Sequence, residues 1–374
     1  MPSDGSPLRM LLPIHVDDGC GATNSKELYY YFLEFLNQHF TVKDLGPIRL
    51  FLGISVKYDQ TTGILSLSQF PFIEELLASH NLLTARAQDV PLKSKSPQDV
   101  VAPPNALPGI METNITKAYQ SIVGSLLYLA SWTRPDIAYA VVALAQWNSA
   151  PTRSTLLAAK GVLRYLLGTA DWKLIYGMDV RTDSIAFCDA DWATHQDDRR
   201  SISGYAFFMY SGLVSWSSSK QKSTALSSTE AEYMSITHVS KEALWIRMFC
   251  RVIGLPFPQP FPFLSDNNSA IDMTKLNVIS NHAKHIDLRY HFIRDHITEG
   301  TLKVNWIPTE DMTADIFTKP LPCPLHMRHA VSLGLVLSNI TQDIIPYLSC
   351  PIFILSLREC VDSGLIDMQG LLDT

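Results

Sequence analysis

The feature that most constrains this chain is the order of elements that begins at Ser184. SIAFCDADW reads as a strand, and GYAFFMYSGLVSWSS as a β-hairpin turning at Ser211-Gly212. SSTEAEYMSITHVSKEALWIRMFCRVIG reads as one long helix closed by Gly254. FPFLSD is another strand and NNSAIDMTKL a short helix. HIDLRYHFIRDHITEG is a helix with Ile286, Tyr290, Ile293 and Ile297 on one face. LKVNWIP returns to strand, and EDMTADIFTK is expected to form a final helix. Three strands, a helix, then alternating strand and helix predict a mixed α/β or α+β domain over residues 182–320.

Upstream, residues 25–40 carry Leu28, Phe32, Phe35 and Leu36 at helical spacing. FLGISVKYD and ILSLSQ read as two strands around a turn closed by Gly63, and PFIEELLASH as a short helix led by Pro71. Residues 86–116 hold five prolines and no apolar period, the pattern of a linker. Residues 117–175 return to helix in three pieces, the second and third opened by Pro135 and Pro151. The expected organisation is therefore 1–85, a linker at 86–116, a helical segment at 117–175, the mixed domain at 182–320, and a tail at 321–374 without a clear pattern.

Acidic residues sit where the elements of the mixed domain end. Asp189 and Asp191 close the first strand, Asp266 ends FPFLSD, Glu230 and Glu232 open the long helix, and Asp315 lies in the last one. Several carboxylates at one edge of a rigid sheet are what hydrolysis of a phosphodiester with two divalent ions requires, the ions bracketing the phosphate about 3.5–4 Å apart. Stepping from Glu232 by three or four gives Ile236, Val239, Ala243 and Ile246, an apolar stripe, whereas Glu230 leads to Met234, Thr237 and Lys241. Glu232 is thus the inward glutamate, and Glu230 fits a capping role after Ser227. Strand alternation does not separate Asp189 from Asp191, which share a face with Ile185 and Phe187.

With their flanking words, these acids resemble the ribonuclease H domain of copia-type retrotransposon polyproteins. The words are CDADWA, DDRRSISGYAFF, WSSSKQKSTALSSTEAEY, SDNNSAI, HIDLRYHFIRD and TADIFTKPL. The resemblance implies a five-stranded mixed sheet with flanking helices and assigns the four metal-binding acids to Asp189, Glu232, Asp266 and Asp315. It implies two Mg²⁺ ions, with Mn²⁺ as the alternative, and an RNA–DNA hybrid as substrate. Many ribonucleases H carry a histidine in the loop before the last acid. NWIPTEDMTAD has none; Glu310 is the only nearby residue that could substitute, and the role is not assigned to it. LLPIHVDDG resembles the strand-turn-strand of a reverse transcriptase palm, with the Y-V-D-D signature reading His15-Val16-Asp17-Asp18. On that resemblance, 1–85 is a palm and thumb remnant and 117–175 the connection to ribonuclease H. Asp17 and Asp18 would be a relic metal pair, and with so few residues before them polymerisation is expected to be lost.

The net charge of −6 argues against generic affinity for nucleic acid, so binding would fall to local patches. Lys220 and Lys222 with Trp216 suit a sugar-phosphate backbone, and Arg289 on the histidine-bearing helix could meet phosphates. His282, His285, His291 and His296 do not share a helical face, which counts against zinc. The cysteines, Cys20, Cys188, Cys250, Cys323, Cys350 and Cys360, form no C-x-x-C pair and read as reduced thiols. The longest apolar stretch, Ile122 to Trp147, is cut by Thr133-Arg134-Pro135-Asp136. An intracellular, non-membrane protein of cytoplasm or nucleus is expected, partnered by a hybrid and by other Pol products. Two functions compete: a metal-dependent hybrid ribonuclease, or a catalytically inactive remnant that at most binds nucleic acid.

Overall fold

The computed structural model describes residues 8–16, 18–99, 112–177, 184–193, 199–275 and 284–336, by backbone alone at 112–114 and 284–290. Strands β1 (Met10–Leu11), β2 (Ile14–His15), β3 (Asp18–Gly19) and β4 (Ala22–Thr23) form two small antiparallel ladders, β1 with β4 and β2 with β3. Helix α1 (Lys26–His39) follows, capped by Ser25, which accepts the Leu28 N–H. None of its side chains is buried. Strands β5 (Leu50–Phe51), β6 (Ile54–Asp59) and β7 (Ile64–Ser68) precede helix α2 (Phe70–Ser79), with Pro71 in its first turn.

The expected linker is only partly one. Between 86 and 99 the chain packs closely, with Val90 and Leu92 buried and Gln88 N–H donating to the Arg164 carbonyl. Residues 100–111 lie outside the described set. Helices α3 (Glu112–Trp132), α4 (Ala138–Ala145) and α5 (Arg153–Gly168) follow the proline punctuation, and strand β8 (Lys173–Tyr176) ends the segment. Between α3 and α4 sits a buried charge pair. Arg134 donates to both Asp136 oxygens, at 2.9 and 2.7 Å, and to the Thr169 carbonyl at 2.9 Å. Asp136 also accepts from the Tyr165 hydroxyl at 2.7 Å.

The mixed domain then runs β9 (Ile185–Asp191), β10 (Ile202–Met209), β11 (Gly212–Lys220), α6 (Ser228–Val252), β12 (Phe261–Ser265), α7 (Asn268–Lys275), α8 (Lys284–Thr298) and β13 (Leu302–Trp306). Its sheet has the order β11-β10-β9-β12-β13. The first three strands are antiparallel, and β12 is parallel to both β9 and β13. This is the expected five-stranded mixed sheet. The hairpin turns one residue earlier than expected: Met209 pairs with Gly212, and Tyr210 and Ser211 take positive φ, the geometry of a type I′ turn.

Two further expectations need correction. The final helix is instead two 3₁₀ turns, Thr309–Asp311 and Thr313–Phe317, broken at Met312, whose ψ of 89° no helix accommodates. The tail is patterned as far as 336. Helix α9 (Cys323–Ser332) and strand β14 (Leu335–Val336) follow, and β14 closes a second antiparallel sheet of order β14-β8-β7-β6-β5. That sheet draws strands from three of the segments that the sequence reading kept apart.

Every residue of β10 is buried, because the mixed sheet is covered on both faces. On one side Phe207, Phe261 and Phe263 pack with Ile236, Val239 and Ala243 of α6. On the other, Phe187, Ala206 and Phe208 belong to one continuous core with Leu126, Leu144 and Leu163 of α3–α5 and Phe317 of the 3₁₀ turn. The helical segment and the mixed domain therefore share a core.

Candidate functional site

Four elements deliver the acids to one sheet edge. Asp189 lies near the end of β9, opposite Gly204 on β10, and is 3% exposed. Glu232 stands in the second turn of α6, held inward by the stripe of Ile236, Val239, Ala243 and Ile246, all buried, and is 6% exposed. Asp266 follows β12 directly and accepts a hydrogen bond from the Thr309 hydroxyl at 2.7 Å. Ligand atoms of Asp189, Glu232 and Asp266 all lie within 4.8 Å of one another. Among the described residues this is the one group of three or more side chains able to hold a metal ion. Glu232 Oε2 is buried without a hydrogen-bond partner.

Asp315, 3% exposed, joins the group through Lys319. The Lys319 ammonium is 2.9 Å from Asp315 Oδ1 and 3.8 Å from Asp189 Oδ2. The Thr318 hydroxyl donates to Asp189 Oδ2. The 3₁₀ turn reaches β10 only because residue 204 is glycine: a Cβ there would sit 2.6 Å from Phe317 Cβ and 2.8 Å from Thr318 Cγ2.

Crowding carboxylates out of water favours their neutral forms. Burial first, and then the Asp189 charge, push the Glu232 carboxyl well above the usual carboxylate range. The same two causes raise Asp315 to about 8, with Lys319 opposing them. Burial alone would lower Lys319, but Asp189 and Asp315 outweigh it and hold the ammonium protonated well above the lysine norm. Oxygen-only donors of this kind suit hard divalent cations such as Mg²⁺ or Mn²⁺, and a buried oxygen without a partner is one that a cation would satisfy.

The other sequence candidates lie elsewhere. Asp191 is paired with Lys95, 2.5 Å distant. Glu230 accepts the Leu226 N–H while its own N–H donates to Ser227, a capping arrangement. Trp216, read as part of a hybrid-facing patch, is instead seated against the helical segment, its indole N–H donating to the Ala130 carbonyl at 2.8 Å. The reason is tertiary, since the face of β11 that bears it is covered. Lys220 also faces that segment, donating to Gln146 Oε1 at 3.2 Å, while Lys222 is exposed. Arg289 lies on α8 where the side chains are outside the described residues, as Asp17 is altogether. Asp18 is exposed in β3 and pairs with His15 across the β2–β3 ladder. Glu310 is exposed. Sequence reasoning missed Lys319, Thr318 and Thr309. The signal for the first two was the run T-K at three and four residues after Asp315, a spacing that brings side chains back beside the acid, whereas Thr309 reaches Asp266 across 43 residues and has no local signal.

No protein-family model matches the chain. It is similar to the "Retrovirus-related Pol polyprotein from transposon RE1" of Arabidopsis thaliana, at 38% identity over 323 residues, which is 86% of this chain and 21% of that polyprotein. The chain therefore spans about a fifth of the length of such curated relatives. It is 31% identical over 241 residues to the "Putative transposon Ty5-1 protein YCL074W" of Saccharomyces cerevisiae, covering 64% of this chain and 75% of that one. Among solved structures, the N-terminal ribonuclease H domain of Rv2228c from Mycobacterium tuberculosis is 13% identical, with a TM-score of 0.28, over 41% of this chain and 99% of that chain.

Proposed function

Since the chain belongs to the Pol polyproteins of copia-type retrotransposons, we propose that its mixed domain is a ribonuclease H that cuts the RNA strand of RNA–DNA hybrids. The observation that carries this reading is the convergence of Asp189, Glu232 and Asp266, with a buried Glu232 oxygen left without a partner. Asp189, Glu232, Asp266 and Asp315 would hold two divalent ions, Mg²⁺ or Mn²⁺. Such ions, when bound, supply a hydroxide nucleophile at neutral pH and offset charge on the leaving oxygen. The chain's own part is to fix the carboxylates on four separate rigid elements, so that they need not reorganise during the reaction. Thr309 and Thr318 orient the Asp266 and Asp189 carboxylates through hydroxyl hydrogen bonds. A hybrid is read by groove shape, 2′-hydroxyls and phosphates, so sequence preference is low. Lys222 and Arg289 are the candidate phosphate contacts, and other Pol products of the same element are the expected partners.

The test is cleavage of a hybrid labelled on its RNA strand, with and without Mg²⁺, by the full chain and by Asp189→Asn and Asp191→Asn. Asp189→Asn is expected to abolish metal-dependent cutting while the fold persists, and Asp191→Asn to retain it. Loss of cutting in Asp191→Asn alone would move the site by two residues. A parent protein that cuts no hybrid with any divalent metal would leave the inactive-remnant reading in force.

A further inference from the structure

Two of the four acids are already bridged by a cation that the chain itself supplies. Lys319 leaves the 3₁₀ turn four residues after Asp315, and its ammonium lies 2.9 Å from Asp315 and 3.8 Å from Asp189. The other cluster, Asp189 with Glu232 and Asp266, has no lysine or arginine ion pair to Glu232 or Asp266 among the described residues. Asp189 is common to both groups. The two halves of the site thus differ: one carries a positive charge in place, and the other has no such charge paired to Glu232 or Asp266 among the described residues. A divalent ion arriving between Asp189 and Asp315 would stand beside an ammonium, and like charges at that separation repel strongly where water is scarce.

We propose that Lys319 is a resident occupant of the Asp189–Asp315 position, so that ions load in order: the first onto Asp189, Glu232 and Asp266, the second only as Lys319 swings out. This rests on the metal-dependent reading given above. Lys319 is a positioning residue here, since it acts by holding two carboxylates and by yielding them. The side chain is 29% exposed, so a path outward toward solvent is open to it.

The experiment has two arms, both on the full chain and both with Mn²⁺ as the probe. In the first, the parent protein is treated with an amine-acetylating reagent, and labelling of Lys319 is followed by mass spectrometry, with exposed Lys57 as the reference. Labelling of Lys319 is expected to rise as Mn²⁺ approaches saturation, while Lys57 stays constant. In the second, calorimetric titration is expected to give the parent one stronger and one weaker site. In Lys319→Gln the weaker site tightens by about tenfold or more, as the repulsion is removed, and Lys319→Arg keeps the parent pattern. Unchanged labelling at saturating Mn²⁺, or a parent and Lys319→Gln that titrate alike with bound metal, overturns the inference and leaves the ribonuclease reading standing. A parent and variant that bind no Mn²⁺ at all overturn both.

Discussion

In metal-free buffer, alkali is expected to weaken this fold through the cluster of Asp189, Asp315 and Lys319. One ammonium serves two buried carboxylates there, so the native protein keeps a proton that the unfolded chain has lost. Asp315 is raised by burial and by Asp189 from an ordinary value near 3.8 to about 8. A carboxyl whose folded value lies above its unfolded value contributes full stability only below the unfolded value. Between the two values the native state binds more protons than the unfolded state, so stability falls as pH rises, by about 1.4 kcal/mol per unit. Across this window the loss is on the order of 3–5 kcal/mol, a large share of the roughly 5–15 kcal/mol that holds a typical domain. The assay is urea unfolding from pH 4.5 to 8.5 in EDTA, comparing the parent with Asp315→Asn. The two should have similar stability at pH 4.5, and the variant should be the more stable at pH 8.5. Saturating Mg²⁺ should restore the parent at high pH, because a divalent ion replaces the proton. Parallel curves for parent and variant over the whole range would refute the reasoning.

Removing half of the buried ion pair gives a second expectation. Arg134→Met leaves Asp136 charged, buried and unpaired and should cost about 3–5 kcal/mol, while Arg134→Met with Asp136→Leu should recover much of it, read by denaturant melts. Gly204→Ala forces its Cβ against Phe317 and Thr318 and should cost about 1–3 kcal/mol. Because the displaced turn carries Asp315, hybrid cleavage in that variant should fall further than hybrid binding does, as gel-shift and cleavage assays run side by side would show.

Most of the site could be read from local pattern, and the parts that could not depend on distant segments. Helical periodicity picked Glu232 over Glu230, because an amphipathic helix must turn its apolar stripe to the sheet. Asp189 and Asp191 were beyond the same kind of reasoning, since both sit on one strand face and what separates them is Lys95, 96 residues away. Trp216 and Lys220 looked available to a nucleic acid because nothing local marks that face of β11 as covered. The covering helices come from residues 112–168. Helix α9 was hidden by His326 and His329, which read as polar but are buried. The 3₁₀ turn at 313–317 carries the spacing of a helix, and nothing local marks its close packing on Gly204 of β10.

The sheet of order β14-β8-β7-β6-β5 has a consequence for biosynthesis. Its first strand is translated near residue 50 and its last, Leu335–Val336, nearly 300 residues later. Until the ribosome has released that last strand, Lys173–Tyr176 presents a bare row of amides and carbonyls along one side. The nascent chain must keep this edge from pairing with neighbours on the same polysome. A stop codon or proteolytic nick just before Leu335 would leave the edge open for good, giving a product whose first failing is self-association, before any loss of chemistry.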